Sequence, residues 1–152
     1  DDATELISLL VAAFRAGVAP VDGVKDALTA IALPKSVATN GIRERATFSL
    51  AQTGLLHFFE GRLHTVEDVA RGKPAPDLYL HAARIAGEPP ERCIAIEDST
   101  PGATAAVAAG MTVIGFTGAA HDQHAAARAL KDAGVHAVLH DMRGLVTAID
   151  WL

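Results

Sequence analysis

Two adjacent acidic residues follow a short apolar run in the second half of the chain. The run Cys93–Ile96 leads directly into Glu97 and Asp98, which is typical of a buried strand with polar groups at its C-terminal end. Neighbouring carboxylates repel each other and are costly to desolvate, so they need a cation or several hydrogen-bond donors. Glu97 and Asp98 are therefore candidate Mg²⁺ ligands. The alternative is that they cap the next helix and face solvent.

A second polar strand end comes earlier in the chain. The segment Lys35–Thr39 is strand-like and is followed by Asn40 and Gly41. Thr39 and Asn40 could donate hydrogen bonds to an oxyanion, with help from the N-terminus of a helix that begins near Ile42. The same Thr-Asn-Gly triplet is also a common capping turn.

A lysine lies between a glycine and two prolines in the segment Gly72-Lys73-Pro74-Ala75-Pro76-Asp77. These neighbours stiffen the loop, so less conformational freedom is lost when the ammonium is fixed against a phosphate. Lys73 is therefore a candidate phosphate ligand, and the alternative is a solvated surface lysine.

The remaining polar residues give weaker signals. His121 and His124 are three positions apart at a loop-to-helix junction, which is little support for a metal site. Arg43 could reach a substrate from the helix after Thr39, but solvent is the simpler expectation. No role is assigned to the other histidines, which are His57, His64, His81, His136 and His140.

Composition limits the class of protein. A chain of 152 residues, 50% of them hydrophobic, fits one domain with a sizeable core. There are 13 basic and 18 acidic residues, a formal net charge of -5, with no basic cluster, which argues against nucleic-acid binding. The single cysteine, Cys93, is consistent with a reducing cytosol. The uncharged stretch Ser99–Ala120 is interrupted by glycines and a proline, so we expect a cytoplasmic protein without membrane contact.

Strand and helix patterns alternate along the chain. From Thr4 to Ala16 apolar residues recur at helical spacing and predict one amphipathic helix. The later pattern predicts an α/β fold with a parallel sheet covered on both faces. No Gly-x-Gly-x-x-Gly follows a strand, which disfavours a dinucleotide site.

Taken together, these motifs resemble the haloacid dehalogenase superfamily, and most closely its β-phosphoglucomutase-like branch of small sugar-phosphate phosphatases and mutases. The similarity runs from about Pro20 to the C-terminus. It implies that Thr39 and Asn40 bind the phosphoryl group, that Lys73 balances its charge, and that the carboxylates bind Mg²⁺. The implied residues are, for catalysis, Thr39, Lys73 and Asp98; for phosphate binding, Thr39, Asn40 and Lys73; and for the metal, Glu97 and Asp98.

The same resemblance implies a three-layer, Rossmann-like parallel sheet. Members of the family carry an early Asp-x-Asp at the end of the first strand, whose first aspartate attacks phosphorus. No such motif is present in residues 1–18, so we expect the first strand to be absent and these residues to be the end of a helical cap. Residues 19–152 would then form a core with a gap at the missing strand, inactive without the nucleophile.

The resemblance implies a Mg²⁺-dependent phosphatase that acts on a small phosphorylated metabolite, of the sugar phosphate or phosphoglycolate type, through an aspartyl-phosphate. A phosphomutase and a non-catalytic interaction protein of the same fold stay open as alternatives. A receiver-like signalling domain is disfavoured, because receivers have the order acids, Thr, Lys and here the acids come last. Substrate identity and oligomeric state are left open.

Overall fold

A computed structural model describes residues 19–152 and, for residues 7–10, the backbone alone. Within this part of the chain the strands are β1 (Ile7–Leu10), β2 (Lys35–Thr39), β3 (Leu63–Thr65), β4 (Cys93–Glu97), β5 (Thr112–Phe116) and β6 (Ala137–Leu139). They form one sheet in the order β3-β2-β1-β4-β5-β6, and every neighbouring pair is parallel.

Helices connect the strands. They are α1 (Val24–Ala30), α2 (Arg43–Gln52), α3 (Asp77–Ala86), α4 (Thr100–Ala108), α5 (Gln123–Asp132) and α6 (Leu145–Asp150). Short 3₁₀ turns cover Leu56–Phe59, Val66–Asp68, Pro90–Arg92 and Met142–Gly144. The predicted α/β architecture with a parallel sheet is thus confirmed.

The sheet separates two apolar clusters, as alternate residues of a strand point to opposite faces. In β4, Ile94 and Ile96 belong to one cluster, while Cys93 and Ala95 belong to the other. The first cluster is built with α1 and α6, and the second with α3 and α4. Small residues line the second face, so α3 and α4 approach the sheet closely: Ala38, Ala82, Ala83, Ala105 and Ala106. This is the predicted three-layer arrangement.

The centre of the sheet corrects the sequence-based expectation. β1 pairs with β2 through Ser8 and Lys35, and with β4 along its whole length, from Ile7 opposite Cys93 to Leu10 opposite Ile96. The expected helix over Thr4–Ala16 is therefore wrong at residues 7–10, and so are the absent first strand and the gap. The remainder of the range 1–18, where a cap remnant was predicted, lies outside the described residues.

The apolar periodicity of Thr4–Ala16 predicted a helix where the structure has a strand, and the reason is physical. A central parallel strand is buried on both faces, so it is a continuous apolar run without the alternation that identifies a half-exposed strand. A sheet without this strand would also leave two rows of unpaired N–H and C=O groups inside the protein. The segment Ile7–Leu10, apolar except for Ser8, pairs with the strands on both sides.

The topology fixes where polar strand ends meet. The order of strands reverses between β1 and β4, and in open parallel sheets ligands bind outside the carboxyl ends of the strands at this switch point. Thr39 ends β2 and Glu97 ends β4, so both lie at that edge. As for membranes, the described part of the chain contains no helix with the length and apolarity of a transmembrane span.

Replacing Leu9 by proline should destabilise the fold. Leu9 pairs with Ser36 on one side and Ala95 on the other, and proline cannot donate to the ladder. We expect Leu9→Pro to lower the free energy of unfolding in urea by roughly 1–3 kcal/mol, the cost of an unsatisfied buried group. Leu9→Ile, which keeps the backbone donor, is the control.

Amide hydrogen exchange provides an independent check of the central strand. The amides of Ile7–Leu10 should be protected to about the same degree as those of Cys93–Glu97, with which they pair. Fast exchange at Ile7–Leu10 beside slow exchange in β4 would contradict this position in the sheet.

Candidate functional site

The structure brings the three predicted polar segments to the carboxyl edge of the sheet. Lys73 reaches from the loop before α3 to both neighbouring strand ends. Its Nζ donates to the carbonyl of Ala38 in β2 at 2.9 Å and to Oε1 of Glu97 in β4 at 2.6 Å. The alternative of a solvated surface lysine is therefore wrong, because its side chain is only 5% exposed.

Glu97 and Lys73 form a buried ion pair. The Glu97 side chain is fully buried, and its Oε1 also accepts a hydrogen bond from the Tyr79 hydroxyl. The Lys73 ammonium lies 4.9 Å from the centre of the Tyr79 ring. Burial lowers the pKa of Lys73 from its ordinary value, and the attraction of Glu97 opposes this shift. Burial, followed by the charge of Glu97, raises the pKa of Tyr79, so the phenol remains a donor.

The second oxygen of Glu97 packs against the first turn of α4. Oε2 accepts from the Ser99 hydroxyl at 3.4 Å, and Ser99 in turn caps the helix by accepting from the Gly102 N–H at 3.2 Å. Ser99 is thus the N-cap of α4. Gly102 leaves the space for the carboxylate, since a Cβ there would lie 1.9 Å from Oε2.

Asn40 holds the loop that carries the lysine. Its Oδ1 accepts from the Lys73 N–H at 2.8 Å, and its Nδ2 donates to the Lys73 carbonyl at 3.1 Å. A Cβ at Gly72 would lie 2.7 Å from this Oδ1, so the glycine permits the close approach. The Lys73–Pro74 peptide bond in this loop is cis. The Asn40 side chain therefore positions Lys73, and Nδ2 keeps its second N–H as a donor, so the predicted phosphate contact of Asn40 stays a prediction.

Thr39 ends β2 beside residues 69–76, the loop that carries Lys73 and is called the lysine loop below. Its Oγ1 accepts a hydrogen bond from the Gly41 N–H at 3.0 Å, which fixes the side chain. Because a hydroxyl both accepts and donates, the proton of Thr39 is still available for an incoming oxygen. The side chain is half-buried at the rim of the sheet.

Asp98 has a different environment from Glu97. It is half-buried, and within residues 19–152 no lysine or arginine forms an ion pair with it. Burial and then the neighbouring Glu97 raise the pKa of Asp98 to about 6. A carboxylate that is partly desolvated and lacks a cation is a suitable ligand for a divalent ion, which commonly uses one or two carboxylates together with water and substrate oxygens.

A second polar cluster, which sequence reasoning missed, lies beside the edge strand β3. His64, Asp68 and His81 each offer a ligand atom within 4.8 Å of the others. A cavity of about 290 Å³ adjoins them. These residues come from a strand, a 3₁₀ turn and a helix, so no spacing pattern within one segment of the sequence indicates the cluster. Arg43, expected in solvent, donates to Asp68 Oδ2 at 2.6 Å.

His64 is the unusual member of this cluster. It is 4% exposed, and its Nε2 has no hydrogen-bond partner among the described residues. Burial, followed by the neighbouring His81, lowers the pKa of His64 to about 4, so the imidazole is neutral at physiological pH.

Comparison with known proteins gives consistent relationships. A family model described as haloacid dehalogenase-like hydrolase matches residues 2–110. The chain is 34% identical over 103 residues to 6-phosphogluconate phosphatase of Escherichia coli (strain K12), covering 68% of this chain and 47% of that protein. It spans about half the length of the curated relatives it matches.

Solved structures show the same fold. A haloacid dehalogenase-like protein from Agrobacterium tumefaciens str. C58 superposes with a TM-score of 0.83 at 38% identity, over 88% of this chain and 61% of that chain. A HAD family hydrolase from Deinococcus radiodurans R1, solved with bound phosphate and sodium, gives a TM-score of 0.80 at 34% identity, over 89% and 61%.

Gly102→Ala tests the packing beneath the ion pair. The added Cβ cannot fit beside Glu97, so the carboxylate must move away from Lys73 and Tyr79. We expect the free energy of unfolding to fall by roughly 2–4 kcal/mol, as for overpacking combined with a disturbed buried charge. The exposed Thr104→Ala in the same helix is the control, expected within about 0.5 kcal/mol of wild type. Equal stability of the two variants would contradict the described packing.

Proposed function

Because the chain belongs to the haloacid dehalogenase-like hydrolase family, we propose that its site serves the hydrolysis of a phosphate monoester of a small metabolite. The observation that carries the proposal is the buried ammonium of Lys73, held at the carboxyl edge of the sheet by Ala38 and Glu97. The relative named 6-phosphogluconate phosphatase and the Deinococcus structure with bound phosphate support a phosphorylated substrate.

Lys73 and Thr39 form the phosphate-binding part of the proposal. An ammonium has three donors, and two of those of Lys73 are used by Ala38 and Glu97, which leaves one for a phosphoryl oxygen. The Thr39 hydroxyl supplies another donor from the adjacent strand. Phosphoryl transfer needs mainly positioning and positive charge around the equatorial oxygens, and both residues are fixed before a ligand arrives.

Asp98 is the proposed ligand of Mg²⁺. Its raised pKa and its lack of an ion-pair partner within residues 19–152 suit a carboxylate ligand of a hard cation. Glu97 was expected to share this role, but Oε1 is engaged by Lys73 and Tyr79, and Oε2 by Ser99. We therefore assign Glu97 to holding Lys73. When bound, the ion would neutralise charge on the phosphoryl group.

The presence or absence of a nucleophile decides between hydrolysis and binding without turnover. The family resemblance implies an attacking aspartate at the end of the first strand, but the sequence after β1, Val11–Phe14, contains no acid. This favours, as a second candidate, a protein whose chain binds phosphorylated ligands without turning them over. The alternatives are separated by measuring both release of phosphate from a panel of sugar phosphates and phosphoglycolate with Mg²⁺, and binding of inorganic phosphate by calorimetry.

The outcomes of that experiment differ clearly. Turnover with Mg²⁺ supports the hydrolase, and binding without turnover supports the second candidate. If the chain neither binds phosphate nor releases it, both functions are wrong.

Removing the lysine should impair phosphate chemistry. We expect Lys73→Ala to lower kcat by on the order of 10²-fold or more, as for loss of one electrostatic donor to a transition state. If the chain binds phosphate without turnover, we expect Lys73→Ala to lower its affinity for inorganic phosphate instead. If only KM rises, Lys73 is a uniform binding contact.

This experiment needs a stability control, because Lys73→Ala leaves the buried Glu97 without its cation. The double variant Lys73→Met with Glu97→Gln removes both charges together and should stay folded while losing the same function. Lys131→Ala, at an exposed lysine of α5, should leave function unchanged.

Asp98→Asn separates metal binding from folding. The raised pKa means that folding favours the protonated acid, so ionisation weakens stability as pH rises from the ordinary 3.8 through about 6. In metal-free buffer at pH 7, the neutral Asn variant should therefore have the higher Tm. Millimolar Mg²⁺ should raise the Tm of wild type and leave that of the variant unchanged. An equal Mg²⁺ response in both proteins would rule out Asp98 as the ligand.

A further inference from the structure

A cavity adjoins the edge strand β3, whose residues His64 and Thr65 pair with the end of β2. Its wall includes His64 of β3, Asp68 of the following 3₁₀ turn and His81 of α3. We propose that these three side chains form a binding site for a divalent transition metal of the Zn²⁺ class. None of these three residues is among those proposed to bind phosphate or Mg²⁺.

The buried imidazole is the first reason. His64 is 4% exposed and packs edge-to-face on the His81 ring, with 5.2 Å between the ring centres. Its Nε2 has neither a donor nor an acceptor partner within the described chain. Buried polar atoms in native proteins are nearly always paired, so an orphaned nitrogen beside a cavity calls for a ligand. A metal ion accepts the lone pair of a neutral imidazole directly.

The donor set is the second reason. Two imidazoles and one carboxylate, with room for water, match the open coordination that Zn²⁺ and similar ions adopt in proteins. Bonds of about 2.0–2.2 Å place tetrahedral ligands roughly 3.5 Å apart. The ligand atoms already lie within 4.8 Å of one another, so small side-chain rotations suffice. Mg²⁺ is disfavoured, because it prefers an all-oxygen shell.

Asp68 is oriented before any ion binds. Its Oδ2 accepts from the Thr65 N–H at 2.8 Å and from Arg43 at 2.6 Å. Arg43 also donates to the Leu63 carbonyl at 2.8 Å. The hydrogen bonds among the described residues reach only Oδ2, so Oδ1 can serve as the metal ligand. Supporting contacts of this kind commonly orient ligating carboxylates.

Two arginines near the cluster disfavour a bound cation, and each must be displaced before the ion binds. Arg43 carries a positive charge beside Asp68, but its side chain is 47% exposed and can turn towards solvent. Arg84 Nη2 lies 3.1 Å from His81 Nδ1. Arg84 donates to the lone pair of Nδ1, so the proton of the neutral His81 ring lies on Nε2. Neither nitrogen of this ring then has a lone pair free for a metal ion. Metal binding therefore requires Arg84 to leave His81.

A bound ion would connect three elements around the lysine loop. Asp68 precedes that loop by a few residues, and α3 follows it, carrying Tyr79 towards Glu97 and His81 towards β3. Linking β3, the 3₁₀ turn and α3 should therefore restrict the loop that presents Lys73.

The test is Zn²⁺ binding by isothermal titration calorimetry, in an Asp98→Asn background that removes the other candidate ligand. We expect one equivalent of Zn²⁺ to bind, with at least tenfold weaker binding in His81→Ala. Arg84→Ala should bind at least threefold more tightly, because it frees His81. His57→Ala, at an exposed histidine outside the cluster, is the control and should match the parent.

A second measurement guards against misfolding of the variants. Circular dichroism should show the same fold in all of them, and the Tm of the parent should rise with Zn²⁺ while that of His81→Ala does not. The proposal is overturned if Zn²⁺ does not bind, if His81→Ala binds as tightly as the His57→Ala control, or if Arg84→Ala weakens binding.

Discussion

The buried ion pair between Lys73 and Glu97 is the interaction on which the site depends. Two charges removed from water need further hydrogen bonds to offset the cost of their desolvation. Here Ala38 accepts a second hydrogen bond from the ammonium, and Tyr79 donates a second one to the carboxylate. The pair joins β2, the lysine loop, α3 and β4 at one point. Any ligand at this edge therefore meets a cation whose position is already fixed.

The strand at the centre of the sheet is the second constraint. β2 and β4 carry the polar ends, and each must pair with a neighbour that lies between them. Ile7–Leu10 provides those pairings through its backbone, and the sequence directly after it, Val11–Phe14, contains no acid. The spacing of Thr39 and Glu97 therefore depends on a segment that contributes no polar group of the predicted kind.

Helix α3 links the two polar regions. Tyr79 faces the sheet and Glu97, whereas His81, two residues later, meets His64 on the outer strand. Positions two apart on a helix point in different directions, so one element can support two sites. No local pattern in the sequence indicates that His81 and His64 meet, since 17 positions and a loop separate them in the chain.

The sequence by itself determined the alternation of strands and helices, the parallel sheet, the polar residues Thr39, Glu97 and Asp98 at the ends of strands, and the stiffened loop that carries Lys73. Those features follow from local patterns, because apolar runs, glycines, prolines and helix caps act over a few residues. Only the tertiary structure decided that Ile7–Leu10 is a strand, that Glu97 holds the lysine while Asp98 forms no ion pair within residues 19–152, and that Asn40 holds the loop. Each of these depends on which segments become neighbours in space, and burial by those neighbours sets which polar groups must pair.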